Sequence, residues 1–152
     1  MRISIVSGKS EGPTLLNAFD NALTNANIGD VNLIKVSSML ESDTQVEPIP
    51  KLKAGSMVNC VLSEISSDKK GDTIVACVAV AIGDELGCVV ENSGVNKSEE
   101  EVMKESIKMV EYMMNKRDVT IKDLIVESKS HVVENIGSVV ASVVYLTDNI
   151  IE

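Results

Sequence analysis

Two consecutive serines, Ser37 and Ser38, follow the apolar run Val31-Asn32-Leu33-Ile34-Lys35-Val36. A serine pair at a strand end reads either as a turn or as a bond the chain breaks in itself. Asn32 is the odd residue in that strand, because asparagine is depleted in strands and a buried amide must find partners. It lies six residues before Ser38, on the same face. Asp20 falls just past one edge of an apolar helical arc, where it is either a solvated aspartate or the rim of a pocket. Glu91 ends the apolar run Gly87-Cys88-Val89-Val90. Desolvation there would raise its pKa, as a general acid needs; the plainer reading is that Glu91 begins the loop Asn92-Ser93-Gly94.

Other candidates carry less. Gly8-Lys9-Ser10 follows a strand and precedes a helix, but the glycine that a phosphate-binding loop needs five residues earlier is Ile3. The single histidine, His131, lies in a β-rich stretch and reads as structural. Methionines on the 98–116 helix sit at core spacing. Cys60, Cys77 and Cys88 are odd in number and far apart, which suits neither a disulfide framework nor a zinc site.

The elements that must position these residues are readable from periodicity. Arg2 to Val6 alternates as a strand, and Ser7 to Thr14 reads as a loop. Helical spacing of Leu15, Leu16, Phe19, Ala22, Leu23 and Ala26 predicts a helix over 14–27, with Thr14 as N-cap. Val31 to Ser37 is a second strand. Residues 39–55 read as a long connection with little regular structure. Met57 to Ser66 and Thr73 to Ile82 read as a hairpin turning at Asp68-Lys69-Lys70-Gly71-Asp72. A strand over 87–91 follows. The capping box Ser98-Glu99-Glu100-Glu101 opens a helix to about Lys116, with Val102, Ile107, Val110 and Met113-Met114 on its apolar face. Two strands, 124–133 and 137–146, complete the chain. Two helices can cover only part of so many strands, so a layered α/β sandwich is expected, and an oligomer would bury more.

Bulk properties narrow the classes. The 152 residues are 44% hydrophobic but only 2% aromatic, so one domain with an aliphatic core is expected. A net charge of −9 disfavours nucleic acid and suits a cationic ligand. The apolar start is too short for a signal peptide, and no run reaches the length of a membrane span. A soluble, cytoplasmic protein with no membrane partner is expected.

Taken together, several segments resemble one family. Ser7-Gly8 with Ser10-Glu11-Gly12, Leu16-Asn17-Ala18-Phe19-Asp20, Gly29-Asp30-Val31-Asn32-Leu33-Ile34 and Ser37-Ser38 are similar to the N-terminal half of archaeal-type pyruvoyl-dependent arginine decarboxylases. The likeness continues through Pro48-Ile49-Pro50-Lys51-Leu52, Val78-Ala79-Val80-Ala81-Ile82 and Glu91, and weakly to Val126-Glu127. Met39-Leu40-Glu41 departs from it, since the family often has Met-Pro-Pro there.

The resemblance implies a single domain over 1–152, folded as a four-layer αββα sandwich like the pyruvoyl-dependent histidine and arginine decarboxylases. It implies that the chain cuts itself between Ser37 and Ser38, giving a 1–37 chain and a 38–152 chain. Ser38 then becomes a covalently bound pyruvoyl group, with no metal required. Asn32 is implied to stabilise the Ser37 carbonyl during processing, Glu91 to return a proton to the substrate, and Asp20 to pair with a guanidinium. The implied reaction is decarboxylation of arginine to agmatine, in polyamine synthesis, by trimers with active sites between subunits. Two alternatives stay open: the same chemistry on another amino acid, or an unprocessed, non-catalytic trimeric paralogue favoured by the altered loop after Ser38.

Overall fold

A computed structural model describes residues 1–152. The elements run β1 (Arg2–Glu11), α1 (Leu15–Asn25), β2 (Asn32–Lys35), β3 (Met39–Glu41), β4 (Gln45–Val46), β5 (Met57–Ser67), β6 (Thr73–Gly83), β7 (Leu86–Val95), α2 (Glu99–Lys116), β8 (Ile121–Val132) and β9 (Gly137–Leu146), with a closing 3-10 turn at Asp148–Ile150. Five strands form one sheet in the order β2-β5-β9-β1-β4, and four form a second in the order β3-β7-β6-β8. The second sheet is antiparallel throughout; the first is mixed, because its edge strands β2 and β4 run parallel to their neighbours.

The expected layering is present. Ile3, Val61, Val139 and Val143 of the first sheet meet Ile74, Val78, Val80 and Val89 of the second in an aliphatic core between the sheets. α1 covers the outer face of the first sheet through Ala22, Leu23 and Ala26. α2 covers the outer face of the second through Val102, Val110 and Met114. The layers are therefore α1, first sheet, second sheet and α2, each strand offering alternate side chains to its two faces.

Both helix starts are capped as their sequences indicate. The Thr14 hydroxyl accepts the Asn17 N–H at 3.1 Å, and the Ser98 hydroxyl accepts the Glu101 N–H at 3.1 Å. Glu101 does not complete a reciprocal box; its carboxylate lies 4.0 Å from the Lys97 ammonium. Of the expected loop Ser7 to Thr14, Ser7 to Glu11 are the second half of β1. Gly8 is there because α1 lies on it: a Cβ would come within 2.4 Å of the Ala22 carbonyl oxygen.

Three further expectations are corrected. β5 and β6 are not a hairpin, because β5 belongs to the first sheet and β6 to the second, and residues 68–72 carry the chain across the sandwich. The 39–55 connection contains β3 and β4, one on each sheet. Leu15 and Leu16 are not on the buried side of α1; Leu16 is 74% exposed.

Candidate active site

β2 is an edge strand of the first sheet and β3 an edge strand of the second. Only Val36, Ser37 and Ser38 join them. Stacked sheets lie about 10 Å apart, and the four extended steps from Lys35 to Met39 span at most about 13 Å, so the join has only a few ångströms of slack. Each end is tied down. The Val36 N–H donates to the Cys60 carbonyl on β5 at 2.9 Å, and the Val89 N–H on β7 donates to the Ser38 carbonyl at 2.9 Å. Across the sandwich, the Tyr145 hydroxyl on β9 donates to the Met39 carbonyl at 3.0 Å. Ser37 is exposed and lies between the two anchors. The backbone is not in a left-handed conformation there: positive φ among non-glycine residues occurs at Asn27, Asp43, Asn96 and Asp118. The join is held by bonds at its ends rather than by backbone strain.

β7 also positions Glu91. Met39 pairs with Cys88, so the register sets Ser38 opposite Val89, consistent with the hydrogen bond between them. Glu91 is two residues beyond Val89 and points to the same face. Diagonal neighbours of this kind are about 7–8 Å apart in an antiparallel pair. The chain thus brings Ser38 and Glu91 together. Contrary to the sequence reading, Glu91 does not end its strand. It lies mid-strand opposite Val78, and it is exposed. It lines a groove of about 340 Å³ with Lys35, Ser63 and Glu64. The Lys35 ammonium is 3.6 Å from the Glu64 carboxylate.

Asn32 and Asp20 are elsewhere. Asn32 is exposed at the first position of β2, and its amide donates to the Gly55 carbonyl at 3.0 Å. The ladder from Asn32 to Val36 is extended, which separates the two by about 13 Å, and Ser38 lies beyond Val36 on the other sheet. The shared face does not bring the amide to Ser37 or Ser38 of its own chain. Asp20 is exposed on α1, which covers the first sheet, whereas Ser38 is anchored to the second.

Other polar residues join the sheets. Glu11 on β1 takes a 2.5 Å bond with His131 Nε2 on β8 and accepts the N–H groups of Glu134, Asn135 and Ile136 at 3.2, 2.8 and 3.0 Å. Burial pushes the Glu11 carboxyl upward, but the bonds from His131, Asn135 and Glu134 outweigh it and hold its pKa below the ordinary carboxylate value. Ser7 of β1 donates to Glu127 of β8 at 2.5 Å. Sequence reasoning singled out neither Glu11 nor Tyr145 for a role. The available signal for Tyr145 was rarity, since the chain has two tyrosines and one phenylalanine. The three cysteines are buried, and burial pushes each thiol up, which suits core packing rather than nucleophilic work. No group of three His, Cys, Asp or Glu side chains converges as a metal site.

The sequence profile of the family described as pyruvoyl-dependent arginine decarboxylase (PvlArgDC) matches residues 2–149. A pyruvoyl-dependent arginine decarboxylase of Methanothermobacter thermautotrophicus is 58% identical over 146 residues, covering 96% of this chain and 97% of that protein. Those of Methanocaldococcus jannaschii and Pyrococcus furiosus are 39% and 37% identical, covering 92% of this chain in each case and 86% and 91% of the relatives. Among solved structures, a pyruvoyl-dependent histidine decarboxylase at pH 8 superposes with a TM-score of 0.54 at 12% identity, over 66% of this chain and 55% of that one, which is a likeness of fold. The chain belongs to the pyruvoyl-dependent arginine decarboxylase family.

Proposed function

We infer that this chain decarboxylates L-arginine to agmatine and CO₂, using a pyruvoyl group made from its own Ser38. The observation that carries the reading is the join between the sheets. A serine pair there is anchored at both ends, with a carboxylate one pleat away on the neighbouring strand. The Ser38 hydroxyl attacks the Ser37 carbonyl carbon, and the amide nitrogen leaves, giving an ester. Elimination then frees Ser37 as a carboxyl terminus and leaves dehydroalanine at 38, which takes up water and loses ammonia. The products are chains 1–37 and 38–152.

The residues around position 38 fit such a group. Its amide carbonyl would remain on the Val89 N–H, and Ser38 is half-buried. A pyruvoyl group supplies a ketone that takes up an α-amino group and draws in the electrons left by departing CO₂. Glu91 holds the proton that returns to the α-carbon. Asp20 faces the substrate guanidinium, where a planar fork meets a carboxylate in bidentate geometry. Asn32 donates its amide to the Ser37 carbonyl during processing.

Asn32 and Asp20 cannot reach Ser38 of their own chain, so the complete site is built between copies, in a trimer. Exposed apolar residues support this: Leu15 and Leu16 precede Asp20 on α1, Ile34 follows Asn32 on the open β2 edge, and Met57 pairs with Asn32 from β5. No helix is long and apolar enough to cross a membrane, and we place the enzyme in the cytoplasm.

The test is the intact mass under denaturing conditions, together with release of CO₂ from carboxyl-labelled arginine. Fragments 1–37 and 38–152, the second blocked at its amino end, with labelled CO₂, are expected. A single chain that stays uncut on incubation would sink the reading. A cut chain that ignores arginine but decarboxylates another amino acid would keep the chemistry and change the substrate.

A further inference from the structure

We propose that Tyr145 is a positioning residue for the decarboxylation: its bond to the Met39 carbonyl keeps residue 38 beside Glu91 once the chain is cut. The inference rests on the reading above, in which residue 38 becomes the amino end of the larger fragment. New chain ends fray unless tied down. The strand that follows, β3, is only three residues long and sits at a sheet edge. Its ladder to β7 and the Val89–Ser38 bond hold it within the plane of the second sheet. Tyr145 belongs to the opposite sheet, so its 3.0 Å bond pulls β3 across the sandwich. It resists peeling in a direction that in-plane bonds oppose least.

The surroundings suit a fixed donor. The Tyr145 ring packs on the core between the sheets, which also contains Leu40 of β3. Leu40 is buried, and its Cβ lies 3.2 Å from where a Cβ at Gly87 would stand. Residues 39 and 40 are thus fixed by a hydrogen bond and a packed side chain in sequence. Burial raises the Tyr145 pKa above its ordinary value, so the hydroxyl keeps its proton and stays a donor throughout the neutral range.

The test compares wild type, Tyr145→Phe and the control Tyr112→Phe, whose ring is exposed on α2. Pyruvoyl content is counted with phenylhydrazine, so that kcat is expressed per pyruvoyl group. Backbone hydrogen exchange is followed over residues 38–46. In Y145F, exchange in that segment is expected to rise about fivefold, the weight of one net hydrogen bond, with the rest of the sandwich unchanged. kcat per pyruvoyl group is expected to fall about three- to tenfold, with KM for arginine within about twofold, and Y112F to match wild type. Wild-type exchange and kcat in Y145F would overturn the proposal. So would an unfolded Y145F, or faster exchange across the whole sandwich, because Tyr145 would then be a general core residue. Wild type that takes up no phenylhydrazine would instead defeat the functional reading itself.

Discussion

Asn32 supplies a prediction in which geometry decides between two modes of self-cleavage. The Asn32–Val36 separation of about 13 Å along a bonded strand exceeds the reach of an asparagine side chain, and Ser38 lies farther still. If Asn32 assists cleavage, it acts on the Ser37–Ser38 bond of another copy. Asn32→Ala alone is therefore expected to remain uncut, and Ser38→Ala alone is uncuttable. Co-expressed in equal amounts, the two variants are expected to form mixed versions of the proposed trimer. There an N32A chain, which keeps Ser38, meets the intact Asn32 of an S38A neighbour. In a ring each chain has one such neighbour, and random assembly makes it the S38A chain in about half of cases. About half of the N32A chains, and so about a quarter of all chains, should be cut. A mass tag on one variant lets intact mass under denaturing conditions assign the fragments. Mixed trimers in which N32A stays whole would refute the trans arrangement, as would an N32A chain that cuts itself at the wild-type rate.

Glu91→Gln is expected to leave cleavage intact and to lower kcat about 100-fold, since general acids contribute on the order of 10²–10⁴; wild-type turnover would remove Glu91 as proton donor. Asp20→Ala is expected to raise KM for arginine about 10- to 100-fold, the weight of a charged hydrogen-bonded pair, with processing unchanged; an unaltered KM would take Asp20 out of the guanidinium site. Glu11→Ala strips an acceptor from His131 and three backbone N–H groups. It is expected to cost about 3 kcal/mol, or about 6–12 °C in Tm, and a shift under 2 °C, about the resolution of the melt, would contradict a stabilising role for these bonds. Because the folded-state pKa of Glu11 is depressed, its contribution is full above the ordinary carboxylate value and fades as pH falls through the lowered one. The stability difference between wild type and E11A, followed by melts against pH, should shrink on the acid side only.

Much of this arrangement was legible in the sequence, for reasons that differ by element. The helices are legible from apolar spacing and from caps that act locally: Thr14 and Ser98 each satisfy an N–H three residues on. The 68–72 turn was misread because its residues and flanking strands look the same whether the chain folds back on one sheet or crosses to the other. Only the pairing partners distinguish them, and those lie at β2, β7, β8 and β9. β3 and β4, three and two residues long, are too short to show a period. Ser37–Ser38 stands out in the sequence and takes its assignment from a resemblance, but its closeness to Glu91 depends on a register that no local pattern reveals. Asn32 was noticed as an oddity, and its distance from Ser38 follows from the strand being extended. Val89 had no signal at all, since it contributes a backbone N–H that any residue but proline would supply.

The anchored join between the sheets has a consequence for the order of events in the life of the molecule. Cutting after Ser37 removes no ladder bond: β1 keeps its ten register pairs with β9, β2 stays on β5, and Ser38 stays on Val89. Before the cut, folding is unimolecular. After the proposed cut the 1–37 piece, which contributes β1, α1 and β2, would be a separate molecule, and recovery from unfolding would become a bimolecular search that slows with dilution. If the chain is cut as proposed, folding must precede cutting, and the cut protein would persist by unfolding slowly rather than by re-forming easily. Such a molecule is assembled once.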